Sequence, residues 1–441
     1  MEHSARQQGV YSSCLEAEAT VVAAGTLHLA ERGQQGAAVG FRRCRGGPGR
    51  TIAAMRIAVS REPGAERAVS PLELFFDLVY VFAIGQLSHH LLEHVDLRMG
   101  AETVILTLAV VYAWYMTAWG ANWLEPDRRP VQLLLIGLMF ASLLMSVAIP
   151  DAFDDRAWLF VTGYLGLQVG RPAFLIFALR GRPQGEHFVN DLVWEVLAGC
   201  LWVAGVLADG DARLVLWGLA VAATYVGVSF LHWLPGRGQR IDIRHTEIAG
   251  AHLLERFRLF FIIALGETVL TMGTAFTDAP FELERLVALA VGFTGTVALW
   301  WCYFQRAEPR GEELIESADD AGGIGLWATW ALTLIVLALI AIAVADELAI
   351  AHPGDDPTLG FTILAFGGPA LFLLSQLLFH RAVFGYIPLS RPLGLAALAV
   401  LAVATAPLTL IVGIAASAVV LVAVAIADTV SEGVQEPSRS A

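Results

Sequence analysis

The chain has 441 residues, with 28 basic against 41 acidic side chains and a net charge of -13. It is 56% hydrophobic and 16% charged, with a mean hydropathy of +0.63, whereas soluble domains carry about 25% charged residues. This excludes a soluble enzyme with an anchor, and the acidic balance excludes nucleic-acid binding, which needs a basic face.

In chain order, residues 1–66 come first. They are rich in Gly, Arg and Gln, lack sustained periodicity, and read as a disordered cytoplasmic tail. No apolar h-region precedes a small-residue cleavage site, so no signal peptide is expected. Met55 stands shortly before the first span, so residues 1–54 also fit an over-long gene start. All basic residues are arginine, as in a GC-rich bacterial gene. Cys14, Cys44, Cys200 and Cys302 lack ligand spacing. No disulfide framework, metal centre or cofactor follows.

A span needs roughly 20 apolar residues. The sequence predicts an all-α polytopic transmembrane bundle of about twelve spans: 72–92, 102–124, 131–149, 157–179, 191–208, 212–233, 249–274, 284–305, 324–345, 358–380, 392–406 and 408–428. The last two divide one apolar run at Ala406-Pro407. Alternate connections carry Arg128 and Arg129, Arg180 and Arg182, Arg237, Arg240 and Arg244, Arg306 and Arg310, then Arg381 and Arg391. The tail before the first span adds Arg56, Arg61 and Arg67. The intervening connections hold at most one arginine and are acidic, as in Asp151-Ala-Phe-Asp-Asp155. The positive-inside rule then places both termini in the cytoplasm of a bacterial inner membrane.

Span seven lies on span one at a constant offset: Phe257 on Phe76, Leu259 on Leu78, Ala264 on Ala83, Gly266 on Gly85 and Glu267 on Gln86. This suggests a six-plus-six parallel repeat, a common transporter plan. The halves run 67–245 and 246–430, with a short cytoplasmic tail at 431–441.

Charges inside spans are expensive, so they are paired, wetted or functional. Glu73 and Asp77 share one face of span one, four residues apart. At about 1.5 Å per residue, Glu73 lies at the inner edge, Asp77 deeper, and Gln86 in the outer half. Span seven carries His252, Glu255 and Arg256 in its inner half and Glu267 in its outer half. Gln168 and Arg171 in span four, and Asp191 and Glu195 in span five, complete an expected inner cluster. Asp77, Glu267, Gln86 and Glu73 are the ion-pathway candidates. Arg171, Glu195, His252, Glu255 and Arg256 are their charge-network partners. A plainer reading stands beside this one: a sealed Arg–carboxylate pair is a packing strut, and an interfacial acid snorkels to water. His89, His90, Glu93 and His94 have a spacing that could bind a metal at the outer surface, but interfacial histidines usually bind nothing, and the plain reading is favoured there. His252-x-x-Glu255 lacks the second histidine of the H-E-x-x-H zinc motif, and no P-loop or nucleophile elbow is present.

Ser70-Pro-Leu-Glu-Leu-Phe-Phe-Asp-Leu-Val-Tyr-Val-Phe-Ala-Ile84 with Gln86-Leu-Ser-His-His90, and His252-Leu-Leu-Glu-Arg-Phe257 with Ile262-Ile-Ala-Leu-Gly-Glu267, resemble the two signature helices of the bacterial low temperature requirement A family. The resemblance covers about residues 66–428, with Tyr80 and Thr268 as mild departures. It implies a polytopic membrane protein linked to growth in the cold, of undefined activity. Glu73-x-Phe75-x-Asp77-x-Val79 before Tyr80 is also similar to the first helix of leak potassium channels whose motif reads Phe-Ser-Asp, with Phe76 replacing the serine. The leading expectation is a permease or channel-like protein for a small cation or proton, with Arg171 and Arg256 tuning Asp77 and Glu267. The lipid bilayer is its other partner. The rivals are an integral-membrane enzyme or lipid-handling protein, and a sensor or scaffold without transport.

Overall fold

Helix α1 (Pro71–Glu93) starts where local chemistry dictates. The Ser70 hydroxyl accepts from the Glu73 amide at 3.3 Å, and the Glu73 carboxylate accepts from the Ser70 amide at 2.9 Å. Pro71 has no amide hydrogen to leave orphaned in the first turn. The computed structural model describes residues 69–236, 250–278, 280–316 and 321–435. All belong to one contact unit, Ala54–Ala441. The tail at 1–66, the Met55 question, Arg237, Arg240, Arg244 and residues 436–441 lie outside the described residues.

Eleven helices follow: α2 (Leu97–Ala121), α3 (Arg129–Ala148), α4 (Ala157–Ala178), α5 (Pro183–Val206), α6 (Asp211–Ser229), α7 (Gly250–Thr277), α8 (Leu283–Glu316), α9 (Ala321–Ala351), α10 (Leu359–Val383), α11 (Ser390–Ala404) and α12 (Leu410–Gln435). The all-α polytopic architecture is therefore as expected. Among the described residues, eleven helices are long and apolar enough to cross a membrane; α11, with 15 residues, is shorter. At about 1.5 Å per residue it spans about 22 Å, short of the hydrocarbon thickness. Several boundaries differ from the expected spans; α2 begins at Leu97 and not at 102, and α8 runs to Glu316 and not 305. Helix α5 begins at Pro183 and not at 191, and α9 runs to Ala351 and not 345. A boundary drawn where polarity rises cuts off Asp346 and Glu347, although Leu348, Ala349 and Ile350 continue the apolar run beyond them.

The two ends of the bundle differ in chemistry. At one end, Arg128, Arg129, Arg180, Arg182 and Arg381 cap or connect helices. At the other, Arg98 bridges Glu102 and Asp211, and Arg213 donates to the carbonyls of Gly205 and Phe153.

Most helix neighbours recur at an interval of six, although α8–α9, α9–α12 and α10–α12 have no comparable contact among the first six helices. The pairs α1–α2, α1–α3, α2–α4, α2–α6, α3–α4, α4–α5 and α5–α6 pack together, and so do α7–α8, α7–α9, α8–α10, α8–α12, α9–α10, α10–α11 and α11–α12. Both fourth members contain an internal proline, Pro172 in α4 and Pro369 in α10. Both third–fourth contacts use a glycine at a close crossing. A Cβ on Gly163 would come within 2.7 Å of the Ala141 carbonyl, and one on Gly368 within 3.2 Å of the Ala338 carbonyl. Without a hydrophobic drive between helices in lipid, such close approach carries much of the association. Helices α1 and α7 pack together in parallel register, with Glu73 beside His252 and Gly85 beside Glu267.

Gly163→Val is expected to destabilise the protein by about 1–3 kcal/mol through overpacking against the α3 backbone. Gly137→Ala, where an added Cβ meets nothing within 4 Å, is the control. Thermal unfolding in detergent reads the difference, and equal midpoints would exclude a tight α3–α4 crossing.

Candidate functional site

The α1 register turns Glu73, Asp77 and Tyr80 inward, toward α7 and α2. Asp77 is fully buried. Its Oδ1 accepts from the Arg256 guanidinium of α7 and from Trp114 Nε1 of α2, the latter at 2.7 Å, while Oδ2 finds no hydrogen-bond partner. Arg256 Nη1 also reaches to 3.9 Å from Glu73 Oε1. His252 Nε2 lies 3.5 Å from that same oxygen, and its Nδ1 sits 2.7 Å from Asn122 Oδ1. The guanidinium is walled by aromatic faces, 5.8 Å from the Phe76 ring centre and 5.6 Å from that of Trp114. Arginine suits this place because its planar, weakly hydrated charge stacks on rings while forking to carboxylates. Glu73 therefore caps a helix with one oxygen and anchors α7 with the other.

A second buried cluster ties α2, α4, α5 and the segment after α6. Arg171 donates to Gln168 Oε1 at 2.8 Å and stands 3.5 Å from Asp191 Oδ2. Gln168 Nε2 donates to Glu195 Oε2 at 3.1 Å, and the Tyr112 hydroxyl donates to Glu195 Oε1 at 2.5 Å. His232 Nε2 lies 3.4 Å from Asp191 Oδ1 and 3.4 Å from the Tyr112 hydroxyl. Leu231 and His232 both adopt left-handed backbone, with φ of 54° and 52°, a conformation that costs non-glycine residues free energy and concentrates at functional sites. Beyond the end of the α6 span, burial and then the Arg171 charge push His232 down to about 3, which leaves its ring neutral. Tyr80, bonded to Ser142 at 3.0 Å, lies within electrostatic range of Arg171, Asp77 and Arg256.

The opposite end holds acids of another kind. Glu267 is half-buried and leans on α1: a Cβ on Gly85 would come within 2.5 Å of its Oε1. Glu267 and Glu347 are both within electrostatic range of His89. Asp346 is buried, and its Oδ2 has no hydrogen-bond partner. It faces a cavity of about 20 Å³ shared with Gly292, Gly295 and Ser417, room for about one water. No described arginine pairs with Glu267, Asp346 or Glu347.

The single inner cluster expected from sequence is thus two clusters. Glu73, Asp77, His252 and Arg256 form one; Arg171, Asp191 and Glu195 form the other. The expectation that Arg171 tunes Asp77 or Glu267 is corrected, because α4 aims Arg171 at α5. Glu255 is half-buried and makes no ion pair with a described residue, and Gln86 is half-buried beside Gly85. His90 is a strut, 3.4 Å from Glu102 and 3.0 Å from the Pro150 carbonyl. Asp346 and Glu347 were missed because a hydropathy boundary excluded them. Trp114, an aromatic in an apolar run, carries no sequence signal beyond packing, yet its indole N–H is the second donor to Asp77. His232 gave no local signal, since its role depends on a backbone reversal after α6. Arg391 with Asp428, 2.6 Å apart and fully buried, was hidden because neither residue has a neighbour in sequence that suggests pairing.

The family model described as "Bacterial low temperature requirement A protein (LtrA)" matches residues 68–426. An uncharacterized protein of Rhizobium meliloti is 35% identical over 331 residues, covering 74% of this chain and 80% of that protein. No solved structure matches. The chain belongs to the low temperature requirement A family.

Arg256→Gln leaves two buried carboxylates facing each other and is expected to cost about 3–5 kcal/mol. Adding Asp77→Asn to the same chain removes the stranded charge and recovers part of that loss. A double-mutant cycle on thermal unfolding in detergent measures the coupling, and additive losses would exclude the ion pair as a stabilising unit.

Proposed function

We propose that this chain moves protons or a small cation across the bilayer, with Asp77, Glu267 and Asp346 as the ion-interacting carboxylates. The observation that carries this reading is the set of acids at the arginine-poor end, Glu267, Asp346 and Glu347, none of which has a guanidinium partner among the described residues. A carboxylate held among apolar helices without a base is stable when it binds a proton or a cation, and such residues mark ion pathways. The Arg256–Asp77 pair, with one Asp77 oxygen left unpartnered, gives the other end a group that can exchange its partner.

Along α1, Asp77 and Gly85 are eight residues apart, about 12 Å at the α-helical rise. Between them Tyr80, Ile84, Phe260 and Ala264 are buried, an apolar layer separating the two polar regions. The layer suits a closed state of an alternating-access device, in which one repeat rocks against the other around the site. The neighbour pattern recurring every six helices, together with the parallel α1–α7 register, supports reading residues 67–245 and 246–430 as repeats. The arginine asymmetry supports placing the Arg128/Arg182/Arg381 end in the cytoplasm of the bacterial inner membrane.

The purified chain in liposomes is expected to carry H⁺, Na⁺ or K⁺ down an imposed gradient. Glu267→Gln and Asp346→Asn are each expected to lower the flux at least about tenfold, equivalent to 1.4 kcal/mol on the rate-limiting barrier, without loss of monodisperse protein. Absence of flux for all three ions would sink the proposal. Wild-type flux in both variants would sink the assignment of these acids.

A further inference from the structure

The second buried cluster has a composition that helix packing alone does not call for. Asp191 and Glu195 lie one turn apart on the same face of α5, and His232 comes back to them from beyond α6. One ligand-capable atom from each lies within 4.8 Å of the other two. All three residues are at most 2% exposed. Independently, Asp191 Oδ1 is buried, has no hydrogen-bond partner, and points at His232 Nε2 from 3.4 Å. In a tetrahedral site with metal–ligand bonds of about 2.1 Å, neighbouring donor atoms stand about 3.4 Å apart. The separation of those two atoms is therefore that of two ligands sharing one ion.

The charges point the same way. Two carboxylates face one guanidinium, and Arg171 spends its short bond on Gln168, meeting only the far oxygen of Asp191 at 3.5 Å. With both acids ionised, the pair exceeds the guanidinium by one negative charge in a dry setting, a charge that a bound proton or a metal cation offsets. Two carboxylates and one imidazole are a donor set for zinc, manganese or ferrous ions, not for the soft thiolate-seeking metals. The Tyr112 hydroxyl donates to Glu195 Oε1 at 2.5 Å and lies 3.4 Å from His232 Nε2, so it orients the Glu195 carboxylate as an outer group. Arg171 and Gln168 then orient the ligands from behind, as outer groups do in metal sites.

We propose that Asp191, Glu195 and His232 bind one divalent first-row transition-metal ion of the Zn²⁺ or Mn²⁺ kind. The site clamps α5 to the chain leaving α6 and does not depend on the transport reading, since none of its three ligands is among the carboxylates assigned there.

The test uses the full chain purified in detergent, stripped with chelator, reloaded with Zn²⁺ or Mn²⁺, desalted and assayed by elemental analysis. About one equivalent of one of these ions per chain is expected. Asp191→Asn and His232→Gln, both close in shape to the native residues, are expected to weaken retention at least about tenfold. X-ray absorption of the zinc-loaded wild type needs no variant, and it is expected to show one imidazole among oxygen donors. Failure of the wild type to retain either ion, equal retention in folded variants, or a first shell without imidazole would each overturn the site. Ion flux plays no part in these readouts, so failure here and failure of transport are separate results.

Discussion

Arg256 is the residue on which the packing of α1 against α7 depends. It reaches from α7 to both acids of α1, and its guanidinium fills the space between the Phe76 and Trp114 rings. In a bilayer, the apolar surfaces of these helices gain little from leaving lipid, because lipid is as apolar as they are. What fixes α1 against α7 is a charge that neither helix can leave exposed. The pair does not have to add net stability against a well-packed apolar substitute in order to specify this geometry. It has only to make every other arrangement of those two helices worse.

That constraint sets the register of everything between the two ends. With Glu73 held beside His252, the next turns bring Tyr80, Ile84, Phe260 and Ala264 into a dry layer and deliver Glu267 onto Gly85. The arginine-rich end is a region of matched charge and short hydrogen bonds. The arginine-poor end has acids, one histidine within range and a water-sized cavity. Along α1 and α7 the acids change from Arg256-bound at Glu73 and Asp77 to Glu267, which has no arginine partner among the described residues, and on α9 Asp346 and Glu347 have none either.

Much of this was legible in the sequence, for physical reasons that can be named. Hydropathy and arginine asymmetry are one-dimensional signals, and they gave twelve helices and their alternation. Asp77 and Arg256 stood out because a charge in an apolar run is visible without a partner. Partner choice was not legible. Arg171 and Asp77 lie at similar depths, and only the rotation of α4 decides that Arg171 faces Asp191. Asp346 was lost at a boundary, since an acid at the end of an apolar run looks like the start of a loop. His232 depends on two left-handed residues in succession, which no periodicity announces. The six-helix interval was half visible: five matched positions in spans one and seven suggested it, whereas paired prolines at 172 and 369 and glycines at 163 and 368 required knowing which helices touch.

The spacing of the Asp77–Arg256 contact also bears on biosynthesis. The two residues are 179 positions apart in sequence. At about 5–20 residues per second, the ribosome makes Arg256 about 10–35 s after Asp77. For that interval the nascent first half holds an acidic helix with no base to meet it. It must keep that helix at the membrane surface, keep the acids protonated, or borrow a temporary partner from the insertion machinery. Completion of α7 is therefore the event that gives the first helix its permanent partner.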